Sequence, residues 1–197
     1  MKNTVLVSIC LFAVSVSMPL PADTITQHLG GNIVSDTGYW WGVTFQTPTG
    51  GPWDKLTFNF YGETTITPDA AGTLYLLSQP FTGVPNALSS TAPGFIASTS
   101  TIVGGEWVFN SSLTVQPGTQ YYLFADQQMV IEGGGTDVAT TRNYFTTDPN
   151  TTYLVSSPGS GQPDFLFAGT VVPEPSLLRL TALGLASGLV RLRRRHG

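Results

Sequence analysis

Apolar and polar residues alternate along most of this chain. In the stretch from Gly38 to Thr47, Trp41, Val43 and Phe45 fall on one face and Trp40, Thr44 and Gln46 on the other. That is the period of two expected of a half-buried strand, with the first set as core. The stretch from Lys55 to Gly62 repeats it, with Leu56, Phe58 and Phe60 inward and Thr57, Asn59 and Tyr61 outward. Further short runs start near Gly72, Gly94, Glu106, Ser112, Thr119, Gln128, Thr152 and Asp164, most of them bounded by Gly, Pro, Asn or Asp. Gln116-Pro117-Gly118-Thr119 carries Pro and Gly at the central positions of a type II turn. It predicts a hairpin that joins a Leu113/Val115 strand to a Tyr121/Leu123 strand. No sustained helical stripe and no internal repeat interrupts this pattern, so the body is expected to be an all-β, antiparallel sandwich or barrel.

The two ends break the pattern. Residues 1–22 comprise Lys2, an apolar run from about Val5 to Val16, and small or turn-forming residues ahead of Asp23. This is the layout of a secretory signal peptide, with cleavage expected after Ala22 and Ser17 as the second candidate. Cys10, the sole cysteine, lies inside that run, so the exported body is expected to use no disulfide. At the other end, Pro173 and Pro175 bar the last strand from running on, and Ser176 is placed to cap a helix. The apolar segment Leu177–Val190 would span about 21 Å as a helix at ~1.5 Å per residue, short of a hydrocarbon core of ~30 Å. Arg191, Arg193, Arg194 and Arg195 follow it and would stay on the cytoplasmic side.

Val172-Pro173-Glu174-Pro175-Ser176, the leucine- and glycine-rich segment and the arginine cluster, in that order, resemble the PEP-CTERM sorting signal of exported bacterial proteins. The resemblance covers residues 173–197. It implies recognition of the tail in the inner membrane by an exosortase-type membrane enzyme, processing near the Pro-Glu-Pro motif, and a final location at the cell surface or outside the cell, in association with exopolysaccharide. Arg179 departs from the usual apolar pattern of such a segment. Residues 23–172 would then be the exported domain. Within them, Trp107-x-Phe109, Leu113-x-Val115-x-Pro117-Gly118-Thr119-x-Tyr121 and Asp164-Phe165-x-Phe167 are similar to jelly-roll modules common in exported bacterial proteins. That likeness implies a jelly-roll-like sandwich and no particular activity.

Charge narrows the partners. The chain has 197 residues, enough for one domain and terminal signals. Between Asp23 and Val172 only Lys55 and Arg142 are basic against eleven Asp and Glu, a formal balance of −9. Such a body repels phosphate backbones, which excludes nucleic acid as a partner.

Catalytic chemistry is sparse. His28 is the only histidine of the body, too few for a Ser-His-Asp triad or a histidine-rich metal cluster. Glu63, Asp69, Glu106 and Glu132 are the carboxylates a glycosidase would draw on, but the E-x-D-x-x-E pattern of jelly-roll glycosidases is missing. Gly133-Gly134-Gly135 lacks the GK[ST] of a phosphate loop and reads as a turn. Asp126, Asp137, Asp148 and Asp164 could supply oxygen ligands to Ca²⁺, the one cofactor worth testing. The remaining signal is aromatic. Trp40, Trp53 and Tyr61 are expected outward or in a turn, where flat rings can stack on sugar faces. Core packing or cover for a sheet edge is the alternative. Two functions follow: a noncatalytic matrix or carbohydrate-binding protein, favoured, and a secreted hydrolase of extracellular polysaccharide.

Overall fold

The computed structural model describes residues 22–25, 38–61, 68–129, 142–156 and 167–173. The expected signal helix and the helix of the tail lie outside them. Among the described residues twelve strands form: β1 (Asp23–Thr24), β2 (Trp40–Gln46), β3 (Trp53–Tyr61), β4 (Pro68–Asp69), β5 (Leu74–Leu77), β6 (Phe95–Thr99), β7 (Ile102–Val103), β8 (Glu106–Val108), β9 (Gln120–Ala125), β10 (Asn143–Thr146), β11 (Leu154–Ser156) and β12 (Phe167–Pro173). They build two antiparallel sheets. The first runs β1-β12-β3-β8-β7, with β4 also against β3, and the second runs β11-β10-β2-β9-β5-β6. A short 3-10 turn, Pro85–Ala87, lies between β5 and β6. No helix among the described residues is long and apolar enough to cross a membrane.

The main core joins the two sheets. Trp41, Val43 and Phe45 from β2, Leu74 and Leu76 from β5, and Leu123 from β9 pack in one cluster with Leu56, Phe58 and Phe60 from β3, Trp107 from β8 and Phe167 from β12. All of these are at most 1% exposed, and each contributes roughly 1.5–3 kcal/mol or more through the apolar area it buries. Trp41 is at the centre, its ring centroid 3.5 Å from that of Phe60 and 5.8 Å from that of Trp107. The inward sets read from the alternation of β2 and β3 are therefore the core sets.

The hairpin expected at Pro117-Gly118 does not form. The turn exists, with Gly118 at φ 59°, but its two arms enter different sheets. Val115 bridges to Trp53 at the start of β3, whereas β9 pairs with β2 and β5 in the second sheet. Thr47 secures the crossing: its hydroxyl donates to the Gln116 carbonyl, and it accepts the Thr119 N–H at 3.0 Å. The run beginning at Gly94 likewise divides, β6 joining the second sheet and β7 the first. Thr99 ties this corner by donating its hydroxyl to the Val108 carbonyl at 2.7 Å.

Both ends of the body close on one edge of the first sheet. Asp23 pairs with Val171 and Thr24 with Thr170, while Ile25, fully buried, donates its N–H to the Gly169 carbonyl at 2.9 Å. β12 extends one residue past Val172, to Pro173, which lies opposite Trp53.

Candidate functional site

The outer face of the second sheet carries a second apolar cluster. Alternation along β2, β9 and β10 sends Gly42, Phe124 and Tyr144 to the side away from the main core, and register places them in one row, Tyr144 opposite Gly42 and Gly42 opposite Phe124. Gly42 is required there because a Cβ would sit 2.4 Å from the Phe124 ring and 2.7 Å from the Leu123 carbonyl oxygen. With that space free, the Phe124 and Tyr144 rings come to 5.1 Å. The segment between β5 and β6 folds over this row and contributes Phe81, Leu88 and Ala92, and Tyr153 closes it from beside β11. Phe124 lies 5.8 Å from Phe81 and 5.1 Å from Tyr153 between ring centroids.

Around this cover runs a rim of half-buried rings, Trp40, Tyr75, Phe95 and Tyr122. Tyr75 and Phe95 meet edge to face at 6.4 Å, and Tyr122 approaches Tyr144 at 6.3 Å. Rings held on one side by a packed cluster and open on the other offer flat apolar surface at little conformational cost, the property that sugar stacking uses.

The polar groups at the two ends of the rim differ in sign. Asp126, whose Oδ1 accepts the Thr73 N–H at 2.7 Å, lies near Tyr75 and Tyr153. Burial first, and then this carboxylate, push both hydroxyls above the ordinary tyrosine range. At the other end, burial and the neighbouring Tyr122 raise Tyr144, while the Arg142 guanidinium acts in the opposite direction. Arg142 is exposed, and its backbone is pinned to β2: its N–H donates to Thr44 Oγ1 at 2.6 Å and its carbonyl accepts the Thr44 N–H at 2.9 Å.

The residues expected from sequence are scattered. Trp40 belongs to the rim. Trp53 does not face outward: it is 3% exposed in the main core, with Nε1 donating to the Pro48 carbonyl at 2.9 Å. The physical reason is a bulge. β3 pairs Trp53 with Pro173 and Asp54 with Val172, but Thr57 with Thr170, so β3 has one extra residue, and Lys55 in that gap adopts φ 49°. The insertion reverses the alternation, which turns Trp53 to the side that Leu56 faces. Tyr61 ends β3 in the opposite sheet from Trp40, and its side chain lies outside the description. Sequence reasoning missed Tyr75, Phe95, Tyr122, Tyr144 and Arg142. The available signal was a second apolar set in β5 and β9 (Tyr75/Leu77 and Tyr122/Phe124) on the face opposite the core set.

Of the residues expected to form a sorting motif, Val172 and Pro173 are half-buried in β12; Glu174, Pro175, Ser176, Arg191, Arg193, Arg194 and Arg195 lie outside the described residues. Asp137 and Asp164, two of the four possible Ca²⁺ ligands, also lie outside them. Asp148 is committed to its own turn: its carboxylate accepts the Asn150 N–H at 2.9 Å and the Thr151 hydroxyl at 3.0 Å, which hold it below the ordinary carboxylate range. Among the described residues no three His, Cys, Asp or Glu side chains are grouped to hold a metal ion. Glu106 accepts a hydrogen bond from Asn59 at 3.2 Å, and Asp69 stands opposite Phe60 in β4, while Glu63 and Glu132 fall outside the described residues. No protein-family model, no curated protein and no solved structure matches this chain.

Proposed function

We propose that this is an exported bacterial protein, sorted through its PEP-CTERM-like tail, whose jelly-roll-like body is a noncatalytic carbohydrate-binding domain of the extracellular matrix. The observation that carries the binding role is the half-buried rim of Trp40, Tyr75, Phe95 and Tyr122 on one sheet face. Rings so held stack on the apolar faces of sugars, and the tyrosine hydroxyls reach sugar hydroxyls at the edge. The sorting role is supported by the order of Pro-Glu-Pro, apolar segment and arginines.

Affinity electrophoresis of the full chain in gels containing polysaccharide tests the binding role. Retardation that Tyr122→Ala and Trp40→Ala both weaken is the expected result, while release of new reducing ends would turn the reading to a hydrolase. The sorting role is tested by replacing Pro173, Glu174 and Pro175 together with alanine. Apolar length is unchanged and alanine can occupy the end of β12, so a plain anchor would still insert, whereas processing by a sorting enzyme should stop.

A further inference from the structure

Among the described residues the only cations are Lys55 and Arg142, and they lie on different sheets. Lys55 is on β3 of the first sheet. Arg142 immediately precedes β10 of the second, two residues from Tyr144 and therefore on the same outer face. Its backbone pairs with Thr44, and Thr44 stands opposite Tyr122, so Arg142, Thr44 and Tyr122 form one row across three strands. Two strand spacings of about 4.8 Å separate the Arg142 and Tyr122 positions. The guanidinium is exposed and makes no ion pair with a described carboxylate, in a body of formal charge −9. An exposed arginine with no described counter-ion, on the same face as a half-buried ring, is a forked donor set suited to a planar anion.

We infer that Arg142 and Tyr122 form a subsite for an acidic sugar, with the sugar ring stacked on Tyr122 and its carboxylate held by the Arg142 guanidinium. This rests on the carbohydrate-binding reading of the same face and adds the ligand class. The negative body sets the spacing of charge in the polymer. A carboxylate on every residue would meet Asp126 at the far end of the rim, four residues along β9 from Tyr122 or about 13 Å at ~3.3 Å per residue. A polymer in which uronate alternates with neutral sugar brings half as much negative charge to that end and lessens the repulsion.

The test uses the full chain, a polysaccharide alternating glucuronate with a neutral sugar, and the same polymer with its carboxyl groups reduced to alcohols. The native chain should bind the carboxylate form at least about tenfold more tightly than the reduced form, with a preference that shrinks as salt is raised. Arg142→Gln keeps the backbone bonds to Thr44 and should bring the two affinities together. Lys55→Gln makes the same change of charge on the other sheet and should keep the preference. Equal native affinity for both forms, or a preference that survives Arg142→Gln, would overturn the acidic-sugar subsite alone. Failure of the native chain to bind either form would overturn this subsite and the carbohydrate-binding reading together. Circular dichroism of each variant checks that the fold is retained.

Discussion

Phe124 and Tyr144, two strands apart, bring their rings to 5.1 Å across Gly42, the residue that separates them in the sheet. Any side chain at position 42 would occupy the space the Phe124 ring now fills. Gly42→Ala is expected to lower unfolding free energy by about 2 kcal/mol, within the overpacking range. Urea denaturation measures it. Combining it with Phe124→Leu, which clears the ring, should cost less than the sum of the single changes; strict additivity would show that the two positions do not compete for space.

The bulge in β3 makes an opposite prediction. Lys55 sits at φ 49°, a left-handed conformation that costs a side-chain-bearing residue about 1–2 kcal/mol. Lys55→Gly should therefore raise stability by up to about 1 kcal/mol, after glycine's larger loss of chain entropy is counted. Lys55→Val should lower it by a similar amount. Equal denaturation midpoints for the two variants would contradict a left-handed residue in the bulge.

Adjacent tryptophans of β2 should respond unequally, but both should respond. Trp41 is fully buried against Phe60 and Trp107, so Trp41→Ala should cost about 3–5 kcal/mol. Trp40 packs half-buried against the outer cluster, and Trp40→Ala should cost about 1–2 kcal/mol in addition to weakening polysaccharide retention. A melt unchanged by Trp40→Ala would mean that the rim is not packed.

Alkaline pH should loosen the outer cluster. Burial raises the pKa values of Tyr75, Tyr144 and Tyr153, so the folded state favours their neutral forms more than the unfolded chain does. Their contribution is complete below the unfolded tyrosine value of about 10 and is lost as pH climbs through the raised values. Tyr153 is central, since its hydroxyl is buried without a hydrogen-bond partner among the described residues. Tyr153→Phe should therefore be neutral or stabilising near pH 7. It should also make the fall in urea midpoint above about pH 10 shallower. A Tyr153→Phe chain that loses stability at neutral pH would show that the hydroxyl has a partner.

How much was readable depended on how local each cause was. Leu56, Phe58 and Phe60 could be assigned inward from sequence because period-two geometry acts within one strand, and the same holds for Trp41, Val43 and Phe45. The Pro117-Gly118 turn was equally local and equally legible, but the strands that its arms would join depend on partners distant in sequence: Trp53 for Val115, and β2 with β5 for β9. β10 escaped notice because Asn143, Tyr144, Phe145 and Thr146 are all buried, which erases the alternation that marks a strand. Trp53 was misplaced because one inserted residue reverses every side chain before it, and nothing in Trp53-Asp54-Lys55 announces a bulge. The candidate site was the least legible part. Trp40 was one of three rings expected outward or in a turn, but the other rings of the rim, Tyr75, Phe95 and Tyr122, come from three other strands, and the cover over Phe124 comes from the connection between β5 and β6. Sequence by itself determined which residues share a face of a strand and where the chain turns, since both follow from neighbouring dihedrals. Tertiary structure alone decided which faces meet, because burial of a ring depends on side chains that only long-range pairing brings beside it.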